Sequence, residues 1–214
     1  MVKKRKSYKK IYREYLEKGM KLERWQKIGI LFLVIVISGF VGWLYEFLLT
    51  WVENGEIYME GGNFLPWMNI YAIGALFVIP ITYKIRRRPW AVFLVSVIVT
   101  GVVELIGGWL AYVLFNGARY WDYRNAWWGV GNINGFVCPA SVTIFGLGCL
   151  ALVYFVVPFC IYLAQKMSKR AFLTLAIFLF TIVMIDELTN LILKNLNLPT
   201  AMDFYRSIGW KYLT

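Results

Sequence analysis

Residues 29–52 read GILFLVIVISGFVGWLYEFLLTWV, and Glu46 is the only charged residue among them. A helix needs about 20 apolar residues to cross the hydrocarbon core of a bilayer, so this stretch is long enough to span it. The 28 residues before it are mostly polar and no small-residue cleavage site follows it, which argues against a cleaved secretion signal. We therefore predict a membrane-spanning helix over residues 29–52.

Four more apolar stretches follow along the chain, over residues 67–83, 90–115, 136–165 and 171–193. Pro139 and Pro158 predict a broken start and a kink in the fourth of the five stretches, because proline removes a helix hydrogen bond. The whole composition agrees, since 60% of the 214 residues are hydrophobic and 16% are charged, whereas a soluble domain carries about a quarter charged residues. The predicted fold class is an all-α, polytopic membrane helical bundle with about five transmembrane helices, located in the cell membrane as a multi-pass protein.

The distribution of Lys and Arg predicts the orientation of the chain. Eleven lie in residues 1–27, four in 84–88 and three in 166–170, against five elsewhere. Cytoplasmic loops carry the excess of basic residues, so we expect the N-terminus inside and, after five crossings, the C-terminus outside.

Three regions follow from this orientation. Residues 1–28 are predicted to form a basic cytoplasmic or interfacial amphipathic segment, residues 29–193 the transmembrane bundle, and residues 194–214 an external C-terminal tail. Apolar residues among the lysines of the first region are spaced as on a helix that lies along the lipid headgroups. A protein-binding arm is the alternative for this region, and Gly19 argues against one continuous helix.

Composition also excludes several classes of function. The net charge of +11 comes mostly from the N-terminal region, which argues against a nucleic-acid surface. The chain has no histidine, so the commonest metal ligand and proton shuttle are absent. Its three cysteines form no CxxC pair and are expected to be buried as small apolar residues. We predict no cofactor, no metal site and no nucleic-acid partner.

Carboxylates within the predicted spans are the strongest functional signal: Glu46, Glu104, Asp186 and Glu187. Each costs about 2.5–3.5 kcal/mol at the centre of a membrane helix, so these groups must be paired, protonated or hydrated. One hypothesis is that they pair with Arg119, Arg124 or Lys194 and only hold helices together. The other is that they line a cavity for a solute or for protons, because ionisable groups inside the membrane are functional candidates by default.

Two segments at the predicted outer face read alike: GNFLPWMNIYAIGAL at 62–76 and NGFVCPASVTIFGLGCL at 134–150. An internal repeat is one explanation, and chance similarity of glycine-rich helix starts is the other. Glycine and proline leave backbone groups unpaired, which lipid does not tolerate unless protein or a water-filled cavity covers them. We therefore expect both segments to line an outward-facing vestibule.

The candidate substrate-binding residues combine these carboxylates with polar and aromatic groups of the vestibule. Carboxylates beside aromatic rings suit a cation, because a ring face attracts positive charge within about 6 Å. The candidates are Glu46, Asn63, Tyr71, Glu104, Arg119, Trp121, Asp122, Tyr123, Asn132, Asn134, Asp186 and Asn190.

Five motifs, in order, carry a resemblance to a known family: GWLYE (42–46), GGNFLPWMNIYAIGA (61–75), VELIGG (103–108), RYWDY (119–123) and NINGFVCPAS (132–141). Over residues 30–160 the chain resembles the bacterial membrane family described as Putative ABC-transporter type IV. The resemblance implies a multi-pass protein without a nucleotide-binding domain and with a permease-like role. It matches the family's motif positions at Glu46, Glu104, Trp121, Asp122, Tyr123 and Asn132.

The chain departs from the family pattern at two positions. Arg124 follows WDY where a small polar residue is usual, and Phe145 stands where tryptophan is usual. Arg124 would change charge selectivity or give Asp122 a partner.

Three functions remain open from the sequence. The first is a membrane transport component that binds a small cationic or amphipathic solute at Glu46 and Glu104, driven by an ion gradient or by a separate ATPase. The second is an intramembrane enzyme for a lipid or lipid-linked substrate, with Asp122 or Glu104 as the base and Arg119 holding a phosphate. The third is a scaffold or assembly subunit. Expected partners are the lipid bilayer, a small-molecule substrate and a separate ATPase or other membrane subunit, and a homo-oligomer is compatible with the sequence.

Overall fold

The computed structural model describes residues 7–212 except residues 57, 60, 115 and 118. The predicted all-α class is confirmed, with the chain folding as helices α1 to α8 and two short strands. In chain order the elements are α1 (Tyr8–Glu17), α2 (Arg24–Asn54), β1 (Tyr58–Met59), α3 (Asn69–Tyr83), α4 (Pro89–Leu114), α5 (Pro139–Ala151), a π-helical turn (Leu152–Val156), α6 (Val157–Lys166), α7 (Lys169–Asn195), α8 (Ala201–Ser207) and β2 (Lys211–Tyr212). The ends of the predicted N-terminal and C-terminal regions, residues 1–6 and 213–214, lie outside the described residues.

Four helical stretches of the described chain are long and apolar enough to cross a membrane: Arg24–Glu53, Pro89–Leu114, Pro139–Lys166 and Lys169–Asn195. They correspond to four of the five predicted spans. The remaining one, α3, has 15 residues, fewer than the roughly 20 that a full crossing needs. The count of five spans and the orientation of the termini therefore stay predictions.

Both prolines of the fourth predicted span occupy special positions. Pro139 lies in the first turn of α5, where its missing N–H is not needed, and Cys138 caps that turn. Pro158 follows the π-helical turn, in which the N–H of Val157 bonds to the carbonyl of Leu152. Because Pro158 has no N–H of its own, the wider turn changes the hydrogen-bond register just before it.

The chain forms two compact units, the first made of Met1–Ile11, Met20–Ile73 and Phe159–Thr214 and the second of Tyr12–Gly19 and Gly74–Pro158. In the first unit α2 packs against α7. Its core contains Ile35, Trp67, Ala72 and Val183. β1 and β2 also belong to this unit and pair in parallel, with Tyr58 opposite Lys211.

In the second unit α4 packs against α5, and small residues allow a close approach. A Cβ atom added at Gly146 of α5 would lie 2.7 Å from Val97 of α4. The part of α1 that belongs to this unit is held by Tyr15, whose hydroxyl donates to the carbonyl of Val153 at 3.0 Å. The predicted break at Gly19 is present. Helix α1 ends at Glu17, and Gly19 has a φ of +74°.

Candidate functional site

Glu46 lies in α2 and accepts a hydrogen bond from the hydroxyl of Tyr71 in α3. The pair forms because α2 has a glycine one turn before the glutamate. A Cβ atom at Gly42 would lie 2.0 Å from Cγ of Tyr71, so only glycine leaves room for the ring. The structure thus brings together two of the predicted site residues within the first unit.

Asp186 of α7 holds the non-helical segment 61–68, which precedes α3. Its two carboxylate oxygens accept the backbone N–H groups of Phe64 at 3.0 Å and Leu65 at 2.7 Å. At the end of the segment, the N–H of Met68 donates to the carbonyl of Gly39 in α2 at 3.1 Å. Backbone groups that lipid would leave unpaired are therefore satisfied by protein, as the sequence required.

Two asparagines of the same region converge on Glu187. Asn63 donates to one carboxylate oxygen of Glu187 and Asn69 to the other, each at 2.9 Å. Asn63 is buried and also donates to the carbonyl of Trp67 at 3.3 Å. Glu187 was not among the predicted substrate-binding residues, although its position next to Asp186 within a span was a signal for it.

Asn190 links α7 to the C-terminal helix α8. Its amide donates to a carboxylate oxygen of Asp186 at 3.0 Å, and its own oxygen accepts the N–H of Ala201 at 2.9 Å. Tyr205 of α8 donates to the carbonyl of Phe64 at 2.7 Å. The C-terminal region therefore packs on segment 61–68 through these bonds, and Tyr205 is a contact that the sequence did not suggest.

Glu104 of α4 is the most buried carboxylate of the second unit, with 4% of its surface exposed. Its two oxygens accept the hydroxyl of Tyr123 at 2.6 Å and the hydroxyl of Ser141 at 2.9 Å. Ser141 is positioned by the first turn of α5. Its hydroxyl accepts the backbone N–H of Cys138, and the thiol of Cys138 accepts the backbone N–H of Ser141. Ser141 was not among the predicted substrate-binding residues.

Residues 119–137, here called the outer hairpin because the sequence predicts them at the outer face, carry five further candidates. Ile133 and Val137 form an antiparallel bridge at its base. The indole N–H of Trp121 donates to the carbonyl of Phe136 at 2.7 Å. Asn132 closes the turn by accepting the N–H of Gly135 at 2.9 Å. These bonds organise the backbone of the hairpin.

The charged residues of the outer hairpin interact with one another. Asp122 is contacted by Arg124 in a bidentate pair and by Arg119 at 3.8 Å. Hydrogen bonds from the Arg124 guanidinium hold the pKa of the Asp122 carboxyl below its ordinary value. Arg119 also donates to the carbonyl of Asn134 at 2.8 Å and lies 4.4 Å from the ring centre of Phe136. Arg124, the departure from the family pattern, thus gives Asp122 a partner.

The predicted candidates therefore fall into separate groups. In the first unit, Glu46 and Tyr71 form one, and Asn63, Asp186 and Asn190 lie around segment 61–68. In the second unit, Glu104 and Tyr123 are joined, and the remaining five stabilise the outer hairpin: Arg119, Trp121, Asp122, Asn132 and Asn134. Whether the carboxylates of the two units meet in one vestibule stays a prediction.

A buried cation in the second unit was missed. Arg86 is 7% exposed, its Nε donates to the carbonyl of Tyr15 at 2.6 Å, and its guanidinium lies 4.1 Å from the ring centre of Tyr83. Its place among four basic residues at 84–88 indicated only a cytoplasmic loop, because a run of charges is usually solvated.

The described part of the chain offers no obvious metal-binding site. Within these residues no group of three His, Cys, Asp or Glu side chains is arranged to hold an ion. The three cysteines are free and buried, as the sequence predicted.

Four helical stretches of the described chain that are long and apolar enough to cross a bilayer define an α-helical membrane protein. The comparison with known families then identifies the chain. It belongs to the family described as Putative ABC-transporter type IV, whose profile matches residues 32–191. The match extends beyond the motifs noted in the sequence and includes Asp186 and Asn190 of α7. No curated protein and no solved structure matches the chain.

Proposed function

We propose that this protein is a permease-like transport component of the cell membrane, which binds a small cationic or amphipathic solute at intramembrane carboxylates. The observation that carries the proposal is the environment of Glu104. This glutamate is 4% exposed within an apolar helix of 26 residues, and its oxygens accept two hydroxyl hydrogen bonds. A hydroxyl donates to a carboxylate without neutralising it, so these two bonds leave the carboxylate its charge.

Glu46 supports the same function. It too lies within a long apolar helix and accepts a bond from a hydroxyl, that of Tyr71. Tyrosine rings beside both carboxylates add faces that attract a cation. We therefore propose that Glu46 and Tyr71 of the first unit, and Glu104 and Tyr123 of the second, are the residues that contact the solute.

Asp186 favours a second candidate function, that of a scaffold or assembly subunit. Its carboxylate bonds to backbone N–H groups of segment 61–68, which is a contact that maintains the fold. If Glu46 and Glu104 serve only in the same way, no solute will compete for them.

Chemical modification separates the two candidates. Dicyclohexylcarbodiimide is an apolar reagent that converts protonated carboxyl groups in apolar surroundings to N-acylureas, which mass spectrometry locates. In purified protein we expect modification of Glu46 and Glu104, slowed by tetraethylammonium, choline or spermidine. Glu56, which is exposed and paired with Lys211, is the internal control. Equal modification of Glu46 and Glu104 with and without all three cations would contradict solute binding and favour the scaffold.

A further inference from the structure

The buried guanidinium of Arg86 lies in the second unit, where two helices end. Its Nε donates to the carbonyl of Tyr15 in α1 at 2.6 Å, and its Nη1 donates to the carbonyl of Tyr83 in α3. Both acceptors belong to the last turn of their helices, since α1 ends at Glu17 and α3 at Tyr83. Such carbonyls have no partner within the helix and carry the negative end of its dipole. Capping of α1 and α3 therefore uses two of the three guanidinium nitrogens.

The third nitrogen of Arg86, Nη2, has no hydrogen-bond partner within the described residues, although the side chain is only 7% exposed. The ion pairs of the described chain do not include Arg86 either. An arginine this deeply buried is ordinarily paired with an anion. The rings of Tyr15 and Tyr83 have their centres 5.4 and 4.1 Å from the guanidinium, but a ring face carries no net charge. Nη2 thus keeps two N–H groups for an anion that the described residues do not supply.

Gly19 leaves the approach to Nη2 of Arg86 open. A Cβ atom added at Gly19 would lie 3.0 Å from Nη2 and 3.1 Å from the hydroxyl oxygen of Tyr83. Apart from the chain neighbours of Gly19, no other described residue has an atom closer than 4.0 Å to that point. Glycine lets a ligand approach the backbone closely. The open space is therefore bordered by a guanidinium and a phenol, both of which donate to the oxygen atoms of an anion.

The charge of the surrounding chain is positive. Residues 12–19 and 84–88 of the second unit together hold six Lys and Arg against two Glu. Arg87 follows the pattern of its neighbour, since its Nε donates to the carbonyl of Leu16 in α1 at 3.4 Å. Three more basic side chains of these ranges are exposed: Lys18, Lys84 and Arg88. The basic residues at 84–88 predict that this end of the unit is cytoplasmic.

We propose that Arg86, Tyr83 and Gly19 form a binding site for a phosphate group, carried by an anionic lipid headgroup or by a soluble phosphate ester. Arginine suits phosphate oxygens because its N–H groups form a planar fork and its hydrogen bonds to phosphate are charge-assisted. The predicted position at the cytoplasmic face favours the lipid, since basic residues beside membrane helices attract the anionic headgroups of that leaflet. The inference does not depend on the proposed transport of a solute.

Thermal unfolding of the purified, delipidated protein in detergent tests the site, because a ligand of the folded state raises its Tm. The probes are dioctanoyl-phosphatidylglycerol, dioctanoylglycerol, which lacks the phosphate, and glycerol 3-phosphate. We expect the phosphatidylglycerol to raise the Tm and the dioctanoylglycerol to leave it unchanged. A rise with that lipid alone assigns the site to a headgroup, and a rise with glycerol 3-phosphate assigns it to soluble esters as well. An unchanged Tm with both phosphate probes, or an equal rise with dioctanoylglycerol, would overturn the site.

Two variants remove the site in different ways. Arg86→Gln removes its charge, whereas Gly19→Asn covers both donors and leaves the charge unchanged. Asparagine tolerates the positive φ of Gly19, as it does in this chain at Asn134. Each variant should need at least about tenfold more probe for the same rise in Tm, since a hydrogen bond to a charged group is lost.

Arg170→Gln is the matched control for Arg86→Gln. Arg170 is an exposed arginine at the start of α7 in the first unit, so the variant loses the same charge but keeps the site. It should respond to the probes as the natural protein does. Equal weakening in Arg170→Gln and Arg86→Gln would show a general attraction of charges and overturn the site.

Arg86→Gln also loses the bonds that cap α1 and α3. If it does not fold, Gly19→Asn decides, because that change keeps the guanidinium. Weaker binding by folded Gly19→Asn supports the site, and binding as tight as in the natural protein overturns it. The comparison of probes on the natural protein needs neither variant.

Discussion

At the scale of single residues, the four carboxylates of the membrane helices have different partners. Asp186 accepts backbone N–H groups and Glu187 accepts side-chain amides, whereas Glu46 and Glu104 accept hydroxyl groups. A carboxylate that holds backbone N–H groups replaces the water those groups would otherwise need. Asp186 thus holds backbone groups of segment 61–68, and solute binding by the carboxylates stays a proposal.

Asp186→Asn tests this distinction. The amide presents an N–H₂ group to one of two backbone N–H groups, so a buried donor is left unpaired at a cost of about 1–3 kcal/mol. For a chain of this size we expect the apparent Tm in detergent to fall by about 2–4 °C per kcal/mol.

Asp203→Asn is the matched control for that variant. Asp203 also accepts a backbone N–H, that of Thr200 at 2.8 Å, but it is exposed, so water replaces the lost bond. An equal Tm for Asp186→Asn and the natural protein would show that Asp186 does not hold segment 61–68.

At the scale of elements, four membrane helices could be predicted because their apolar runs exceed the length of a crossing. A changed hydrogen-bond pattern at Pro139 and Pro158 could also be predicted, since proline has no N–H to donate. The partners of the carboxylates could not, because they come from residues far away in sequence. Glu104, for example, is bonded by Tyr123 and Ser141, and nothing in the sequence pairs these three.

The suspected repeat gains support from the internal arrangement of each unit. In the first, α3 follows segment 61–68 and its Tyr71 donates to Glu46 of the preceding membrane helix. In the second, α5 follows the outer hairpin and its Ser141 donates to Glu104 of the preceding membrane helix. Each donor is the third residue of its helix, and a common origin of the two halves stays a prediction.

Close packing of α2 in the first unit gives a prediction at this scale. A Cβ atom at Gly39 would lie 2.1 Å from Nε1 of Trp67, so Gly39→Ala forces the indole out of the core. Overpacking of this kind costs about 1–3 kcal/mol, and we expect a lower apparent Tm in detergent.

Gly74→Ala serves as the comparison for Gly39→Ala. Gly74 also lies in a helix, but nothing lies within 4 Å of an added Cβ atom there. We expect Gly74→Ala to keep the natural Tm or to raise it slightly, because alanine is the better helix former. If both variants unfold at the same temperature, Trp67 does not pack on α2 as described.

At the scale of the whole molecule, basic residues predict the orientation and the short helix α3 leaves the number of crossings open. Segment 61–68 and α3 together could complete one crossing, since the segment bonds to Gly39 and Asp186 within α2 and α7. Ile11 and Tyr15 of α1 are buried, and the position of the N-terminal region along the headgroups stays a prediction. The apolar spacing of α1 was visible in the sequence, but the surface that it covers was not.

We propose that the protein carries a solute through Glu46 and Glu104, and uptake by proteoliposomes is the direct test of this claim. With radiolabelled tetraethylammonium, choline and spermidine, we expect the natural protein and Glu56→Gln to take up at least one cation. Glu46→Gln and Glu104→Gln should remain folded and lose that uptake. Uptake by both glutamine variants at the natural rate, or no uptake of any of the three cations by the natural protein, would contradict the claim.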